Sequence, residues 1–183
     1  MKFKASKTDL SNLKYIERFP LIDDRGSLER IFCSNELKDW GDYKISQINQ
    51  TFTKKRGCLR GLHFQYPPNS EMKYVICLSG SVFDVVVDLR LGSETFGKWT
   101  AIELSADIHN GLLIPEGFAH GFQTLEDNVL MLYLHSCPYS PNSEGGLNSL
   151  DPDLDINWPL PIESRSKRDE DLPFLKKIEG VAL

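Results

Sequence analysis

Much of the chain alternates apolar and polar residues with a period of two, which is the pattern of β-strands. The alternation runs from Tyr43 to about residue 136. Its strands are short and separated by frequent turn signals, as in a β-sandwich, jelly roll or barrel. Strands are predicted at 44–53, 72–78, 81–90, 98–104, 111–114, 121–125 and 129–136, and the second and third are expected to form a hairpin around Ser79-Gly80.

The two ends of the chain lie outside this series of strands. Residues 1–20 are expected to form an extended arm, and the turn signal at 23–26 leads into a short strand at 27–32. One short helix is predicted at 35–40, with Ser34 as its cap and Gly41 at its end. Residues 138–183 are rich in Pro, Asn, Ser, Asp and Glu, and should wrap the β-structure as loops and a short final helix. We therefore expect one domain spanning 1–183.

Composition and charge narrow the functions to consider. The net charge of −5 argues against a general binder of nucleic acid or of anionic membranes. Neither a membrane-spanning apolar run nor a hydrophobic signal segment is evident. The four cysteines are scattered without a C-x-x-C pair, which indicates reduced thiols rather than disulfides or a zinc site. A cytoplasmic protein is expected.

Candidate chemistry first appears at 57–65, Gly-Cys-Leu-Arg-Gly-Leu-His-Phe-Gln. Strand alternation would point Arg60 and His63 to opposite faces, but a bulge at a glycine would bring both to one side. An arginine beside a titratable imidazole would suit an anionic ligand and proton transfer. The alternative, one buried histidine and one surface arginine, stays open on this run alone.

A row of amide and hydroxyl side chains lies in the strand predicted at 44–53. The apolar side chains of this strand point to its other face, where they could pack on another sheet. The polar row would then line either solvent or a polar cavity. The polar row is Gln47, Asn49, Thr51 and Thr53, and the apolar face carries Ile48 and Phe52.

The run 115–121 gives the pattern P-x-G-x-x-H, which resembles the second motif of the cupin superfamily of small β-barrels. The first cupin motif has a glycine, five residues and then H-x-H. Gly57 and His63 match it, but Gln65 stands where the second histidine would be. Because a metal cupin usually needs three imidazoles and one carboxylate, the resemblance implies the fold without the metal. We expect an all-β, cupin-type double-stranded β-helix (jelly roll) with short peripheral helices.

A more specific resemblance covers most of the chain. Segments similar to those of the dTDP-4-dehydrorhamnose 3,5-epimerase family follow one another in order. Each segment is weak alone, whereas the ordered series is specific. They are D-R-G at 24–26, Q-x-N at 47–49, L-R-G-L-H-F-Q at 59–65, P-P at 67–68, Lys73, the run 80–88, T-F-G-K-W at 95–99, the run 114–122, Tyr133, Y-x-P at 139–141, D-I-N-W-P at 155–159 and S-K-R-D at 166–169.

The resemblance implies cofactor-independent epimerisation of a nucleotide-linked 4-keto-6-deoxy sugar at C3, C5 or both. The hydrogens at these carbons are acidic because they flank the C4 carbonyl. A base removes one, and an acid returns a proton to the opposite face of the enolate. A positive group near the carbonyl oxygen stabilises the enolate. dTDP is the expected nucleotide, and GDP- or CDP-linked sugars, including heptoses, are the alternatives.

The same resemblance implies roles for individual residues. His63 matches the base, Asp169 the carboxylate that orients it, Tyr133 the acid, and Lys73 a residue that steadies the enolate. Without the resemblance, Asp169 would be read as a surface residue and Tyr133 as a packed strand residue. His109 and His135 match nothing functional and are expected to be structural. The implied substrate-binding residues are Arg60, His120, Arg25, Glu29, Gln47, Asn49, Glu71 and Tyr139.

Two positions depart from the family pattern. Leu28 stands where an aromatic residue is common, and Glu71 stands where a glutamine often precedes the lysine by two residues. A carboxylate at position 71 would repel a diphosphate unless it meets a hydroxyl or a base edge. Both positions could therefore affect which nucleotide or sugar is accepted.

The resemblance also implies a homodimer in which the N-terminal arm adds to the partner's sheet, and an exposed sheet edge makes this physically sensible. Two rival functions are a metal-dependent cupin oxygenase or isomerase, and a non-catalytic binder of nucleotide sugars. The complete set of His63, Asp169 and Tyr133 argues against the second rival.

Overall fold

A computed structural model of the chain describes residues 2–183 and contains two large antiparallel sheets. The six-stranded sheet has the order β1-β2-β10-β7-β12-β5, and the five-stranded sheet has the order β13-β6-β11-β8-β9. The strands are β1 (Phe3–Lys7), β2 (Lys14–Arg18), β3 (Leu21–Asp23), β4 (Gly26–Leu28), β5 (Gln47–Thr53), β6 (Leu59–Gln65), β7 (Lys73–Ser79), β8 (Ser81–Asp88), β9 (Trp99–Ser105), β10 (Asn110–Ile114), β11 (Phe118–Thr124), β12 (Val129–His135) and β13 (Glu144–Gly146).

The main core lies between the two sheets. It joins Val75 and Met131 of the six-stranded sheet to Val86 and Phe122 of the five-stranded sheet, all of them buried. Two further clusters cover the outer faces, one around Trp40 and one around Leu154 and neighbouring residues of the C-terminal segment. The prediction of an all-β, cupin-type jelly roll is confirmed.

The hairpin predicted around Ser79-Gly80 is wrong. β7 and β8 are consecutive in the chain, but β7 pairs with β10 and β12 while β8 pairs with β9 and β11. Gly80, at φ +75°, therefore lies at a corner where the chain crosses from one sheet to the other. The turn signal is the same for a hairpin and a corner, because alternation within a strand does not say which sheet the strand joins.

The N-terminal residues are extended, as expected, but they pair within this chain. β1 pairs with β2, and β2 pairs with β10 at the edge of the six-stranded sheet. The turn signal at 23–26 is confirmed by the hairpin of β3 and β4. The strand expected at 27–32 is shorter than predicted, since β4 ends at Leu28.

The α-helix predicted at 35–40 is wrong. The structure has a 3-10 helix at Lys38–Trp40 that begins after Leu37, without a capping side chain, and ends at Gly41. Such a short run cannot offset the cost of nucleating an α-helix. Leu37 and Trp40 are nevertheless buried together against the outer face of the six-stranded sheet. No helix within residues 2–183 has the length and apolarity that a membrane crossing requires.

The C-terminal segment lies against the five-stranded sheet. β13 pairs with β6, and Ser164 forms a β-bridge with Cys58 just before that strand. The short helix α1 (Lys167–Glu170) follows, and a 3-10 helix lies at Leu175–Lys177. This path carries Asp169 back to β6 from more than 100 residues away in sequence.

Candidate active site

A cavity of about 650 Å³ opens between the sheets, within the size range of small-molecule sites. Residues of β5, β6, β7, β11, β12 and the C-terminal segment line it. Many of the residues predicted from sequence meet here. They are His63, Asp169, Tyr133, Lys73, Arg60, His120, Asn49, Glu71 and Tyr139.

A bulge in β6 brings Arg60 and His63 into the same cavity, as predicted. His63 pairs with His120 and Arg60 pairs with Phe122, so β6 uses one residue more than β11 between these two pairs. Gly61 lies in the bulge at φ +104°, and a Cβ there would come within 2.7 Å of the Gly121 Cα. Only glycine fits this backbone at such a close approach of two strands.

Replacing Gly61 with alanine should therefore destabilise the fold more than the same change at another glycine of positive φ. Gly92 is the matched control, because its φ is +79° and a Cβ there would meet nothing within 4 Å. We expect Gly92→Ala to cost about 1–2 kcal/mol from backbone strain alone. Gly61→Ala should cost about 3–4 kcal/mol because a neighbouring strand must also move. Urea unfolding measures both values, and equal losses would contradict the steric argument.

His63 is held by a buried carboxylate. Its Nε2 donates to Asp169 Oδ1 at 2.7 Å, and the backbone N–H of Gly61 donates to Asp169 Oδ2 at 3.1 Å. Burial by itself raises the pKa of Asp169, but the hydrogen bonds from His63 and Gly61 outweigh it and the pKa lies below its usual value. Asp169 is therefore ionised, and Nδ1 of His63 is left without a proton in the neutral ring.

The lowered pKa of Asp169 makes its contribution to stability depend on pH. A carboxyl whose folded-state pKa is depressed stabilises the fold above its unfolded pKa, and this contribution is lost as the pH falls through the folded pKa. Asp169→Asn should lower the free energy of unfolding by about 2 kcal/mol at pH 7. The difference from the wild type should shrink below about pH 4. Urea unfolding from pH 7 to pH 3 measures it, and a constant difference would contradict the assignment.

Tyr133 projects into the cavity from β12 in the opposite sheet. Its hydroxyl lies 3.2 Å from the Thr51 hydroxyl, and its side chain is largely buried. Burial raises the pKa of Tyr133 well above its usual value, so the phenol keeps its proton. Met131, Tyr133 and His135 share one face of β12, as expected for alternate residues of a strand.

His120 of β11 forms a buried pair with Asp84 of the neighbouring strand β8, within the five-stranded sheet. Its Nε2 lies 2.8 Å from Asp84 Oδ2, and Asp84 is completely buried. Burial raises the pKa of Asp84 even though the interaction with His120 opposes the shift. The His120 ring meets the Tyr133 ring edge to face at 6.2 Å. His120 thus packs against the phenol while its Nε2 is occupied by Asp84.

Lys73 points into the cavity beside Glu71 and His135. Its Nζ lies 3.0 Å from Glu71 Oε1, and Glu71 Oε2 lies 2.7 Å from His135 Nδ1. Glu71 therefore meets an imidazole and an ammonium of the protein itself. His135 was expected to be structural only, but it lines the cavity.

Three members of the polar row of β5, Asn49, Thr51 and Thr53, line the cavity. The Thr53 hydroxyl accepts a hydrogen bond from Arg60 Nε at 3.1 Å. The opposite face does not pack on another sheet within this chain, since Ile48 is 59% exposed and Phe52 is 50% exposed.

Three charged residues at the cavity were missed by sequence reasoning: Glu144, Arg165 and Arg168. Arg168 forms an ion pair with Glu144, and the Tyr139 hydroxyl donates to Glu144 at 3.3 Å. Arg168 lies in the S-K-R-D run next to Asp169, which was a signal for it. Glu144 had no local signal, because β13 reaches the site only through its pairing with β6.

Three predicted substrate-binding residues lie outside this chain's cavity. Gln47 accepts a hydrogen bond from the Tyr139 backbone at 2.9 Å and so supports the cavity mouth. Glu29 instead pairs with Arg18 at 2.9 Å and with His109 at 3.1 Å. Arg25 lies in the exposed β3–β4 turn and pairs with Asp23.

The metal ligands of a cupin are not assembled at this site. Among residues 2–183, no three His, Cys, Asp or Glu side chains gather in a way that could hold a metal ion. His63 and His120 match cupin ligand positions, but the Nε2 of each forms a hydrogen bond with a carboxylate, Asp169 and Asp84 respectively.

Comparison with known proteins identifies the family and agrees with this fold. The family model described as dTDP-4-dehydrorhamnose 3,5-epimerase matches residues 7–177. A dTDP-4-dehydrorhamnose 3,5-epimerase of Streptomyces griseus is 41% identical over 160 residues, which cover 86% of this chain and 79% of that protein. A dTDP-4-dehydro-6-deoxyglucose 3-epimerase of Streptomyces bikiniensis is 39% identical over 143 residues, covering 78% and 72%.

A solved structure extends the comparison over almost the whole fold. The crystal structure of dTDP-6-deoxy-D-glucose-3,5-epimerase from Legionella pneumophila Philadelphia 1, in complex with dTDP-4-keto-L-rhamnose, superposes with a TM-score of 0.92 at 34% identity. The match covers 99% of this chain and 98% of that one. The family resemblance predicted from sequence is confirmed, and the chain belongs to the dTDP-4-dehydrorhamnose 3,5-epimerase family.

Proposed function

We propose that this chain epimerises a dTDP-linked 4-keto-6-deoxy sugar at C3, C5 or both, through an enolate. The observation that carries the proposal is the placement of two proton carriers on facing walls of one cavity. His63 lies on β6 of the five-stranded sheet, and Tyr133 lies on β12 of the six-stranded sheet. Inversion at carbon requires proton removal from one face and delivery to the other, so facing walls suit this reaction.

Each side chain has a defined task in the proposed reaction. Nδ1 of His63 takes the proton from C3 or C5, and Asp169 stabilises the resulting imidazolium. The electron pair of the broken C–H bond moves onto the C4 oxygen, where the Lys73 ammonium stabilises the negative charge. Tyr133 then gives its phenolic proton to the carbon from the opposite face. Exchange with solvent returns His63 and Tyr133 to their starting states.

Relatives and charge support the nucleotide assignment. The relatives from Streptomyces and Legionella carry dTDP-sugars in their names or as bound ligand. Arg60 and Arg168 line the cavity and would suit the diphosphate, because one guanidinium group can donate two parallel hydrogen bonds to two phosphate oxygens. Tyr139, half exposed at the mouth, would suit stacking on the base. No cofactor takes part in the proposed reaction.

We also propose a homodimer. Ile48 and Phe52 form an exposed apolar stripe on the edge strand β5, and Leu21, Ile22 and Leu28 are exposed on the β3–β4 hairpin. A second copy would bury such surfaces, which single chains rarely leave open over a large area. Sedimentation equilibrium at micromolar concentration tests this proposal, and the mass of a single chain would contradict it.

The proposed reaction is tested by proton NMR in D₂O. The protein is supplied in turn with 4-keto-6-deoxy sugars linked to dTDP, GDP and CDP. We expect the C3 signal, the C5 signal or both to disappear with the dTDP sugar, as solvent deuterium replaces the acidic hydrogens. Exchange with only GDP or CDP sugars would overturn the nucleotide assignment. Absence of exchange with all three would overturn the reaction.

A further inference from the structure

One wall of the cavity carries a chain of three polar side chains, of which only Lys73 has a task in the proposed reaction. It runs from Lys73 to Glu71 and on to His135, with polar atoms 3.0 Å and 2.7 Å apart. The side chains of Lys73, Glu71 and His135 are 10%, 8% and 11% exposed. All three line the cavity. The ammonium, the carboxylate and the imidazole are therefore all largely buried, and each is positioned by the next one.

The carboxylate of Glu71 is the main partner of the Lys73 ammonium. The other polar contact of Nζ is the backbone oxygen of His63 at 3.4 Å, which is long for a hydrogen bond. A buried charge is costly unless it is paired. The position of Lys73 in the cavity therefore depends on the position of the Glu71 carboxylate.

The imidazole of His135 in turn holds the carboxylate. Because an ionised carboxylate only accepts hydrogen bonds, the proton between them belongs to Nδ1 of His135. Nε2 of His135 is buried and has no hydrogen-bond partner among the described residues. Burial raises the pKa of Glu71, but the hydrogen bond from His135 and the charge of Lys73 outweigh it, so the pKa lies below its usual value.

Strand pairing makes this arrangement rigid. His135 of β12 is directly opposite Lys73 of β7, and Tyr133 is opposite Val75. The rings of Tyr133 and His135 also stack, with 6.2 Å between their centroids. His135 is thus fixed by its strand and by the neighbouring tyrosine, and its Nδ1 donates at a set position.

We propose that Glu71 and His135 are positioning residues for Lys73. His135 orients the Glu71 carboxylate, and Glu71 holds the Lys73 ammonium beside the oxygen that becomes negative. The inference rests on the proposed function, because it gives Lys73 the task of stabilising the enolate. Since that charge exists only along the reaction path, a misplaced ammonium lowers kcat more than it raises KM.

Two substitutions of His135 separate the donated hydrogen bond from simple packing. His135→Asn keeps an N–H one bond beyond Cγ, where it can still donate to Glu71. His135→Phe keeps the ring against Tyr133 and removes the donor. We expect His135→Phe to lower kcat for C3 or C5 exchange about tenfold, the equivalent of one ordinary hydrogen bond, with KM little changed. His135→Asn should stay within about threefold of the wild type.

A double-mutant cycle shows whether His135 acts through Glu71. In a Glu71→Ala background, His135→Phe should cause no further loss, because its partner is already absent. A full tenfold loss in that background, equal losses for the Asn and Phe variants, or an effect on KM alone would overturn the proposal. Melting temperatures check folding, and His135→Leu replaces the Phe variant if the latter does not fold.

The test distinguishes failure of this proposal from failure of the proposed function. If the wild type turns over a 4-keto-6-deoxy sugar and the Asn and Phe variants behave alike, only the positioning role is lost. If the wild type exchanges no hydrogens with any such sugar, the proposed reaction is overturned. The proposed roles of Lys73, Glu71 and His135 are then overturned as well.

Discussion

Replacing His63 with alanine should lower the rate of hydrogen exchange at both C3 and C5 by about 10³-fold or more. In the proposed reaction the same imidazole removes either proton, so both signals should persist in D₂O. Asp169 lies behind this ring as a hydrogen-bond acceptor for His63 and for the Gly61 backbone, so in the proposed reaction it orients the base and does not itself take the proton. Time-resolved proton NMR with the dTDP-linked 4-keto-6-deoxy sugar measures the loss.

A matched control separates the loss of a base from a general effect of removing a histidine. His109 also pairs with a carboxylate, Glu29 at 3.1 Å, and is similarly exposed, but it does not line the cavity. His109→Ala should keep the wild-type exchange rate, and both variants should still bind dTDP. Exchange that survives in His63→Ala would remove the proposed base. If His63→Ala lost both dTDP binding and hydrogen exchange, the result would indicate a collapsed cavity instead of a missing base.

Local patterns were sufficient to predict much of the fold and part of the site. The period of two identified seven strands of the two sheets, β5 and β7 to β12, and the two glycines around Arg60 predicted the bulge that brings Arg60 and His63 together. Alternation along β12 also placed Tyr133 on an inward face. Each of these features depends on residues a few positions apart, which is the range over which backbone geometry fixes side-chain direction.

Features that depend on distant pairing could not be derived from local pattern. Asp169 lies 106 residues from His63, and only the family resemblance connected the two. The pairing of Glu71 with His135 spans 64 residues and was missed, since nothing near His135 indicates what lies across the sheet. The corner at Ser79-Gly80 was missed for the same reason, because the sequence of a strand does not show which other strands it pairs with.

Exposure of β5 shows a third limit of sequence reasoning. Ile48 and Phe52 look like a core face in the sequence, yet β5 is an edge strand, and within residues 2–183 no element covers its outer face. An alternating pattern indicates that one face of a strand is apolar, but it does not indicate which element or chain covers that face. The same pattern therefore fits a core within one chain and a contact between two chains.

Replacing Tyr133 with phenylalanine should separate hydrogen exchange from inversion. The base can still remove a proton and return deuterium to the same face, so we expect exchange within about tenfold of the wild-type rate. Inversion should fall about 10²-fold, because no acid remains on the opposite wall. Among the described residues, the hydroxyl that is lost has one hydrogen-bond partner, the Thr51 hydroxyl at 3.2 Å, so the change should leave the cavity walls in place. Proton NMR in D₂O follows both exchange and the configuration of the product.

Tyr15→Phe is the matched control, because it also removes a phenolic hydroxyl, one that accepts a hydrogen bond from Asn110 outside the cavity. It should invert at the wild-type rate. Equal losses of exchange and inversion in Tyr133→Phe would mean that the phenol acts before the enolate forms, and unchanged inversion would mean that another group delivers the proton. Retained exchange with lost inversion would instead require two proton carriers on opposite faces of the ring, which is the arrangement that β6 and β12 provide.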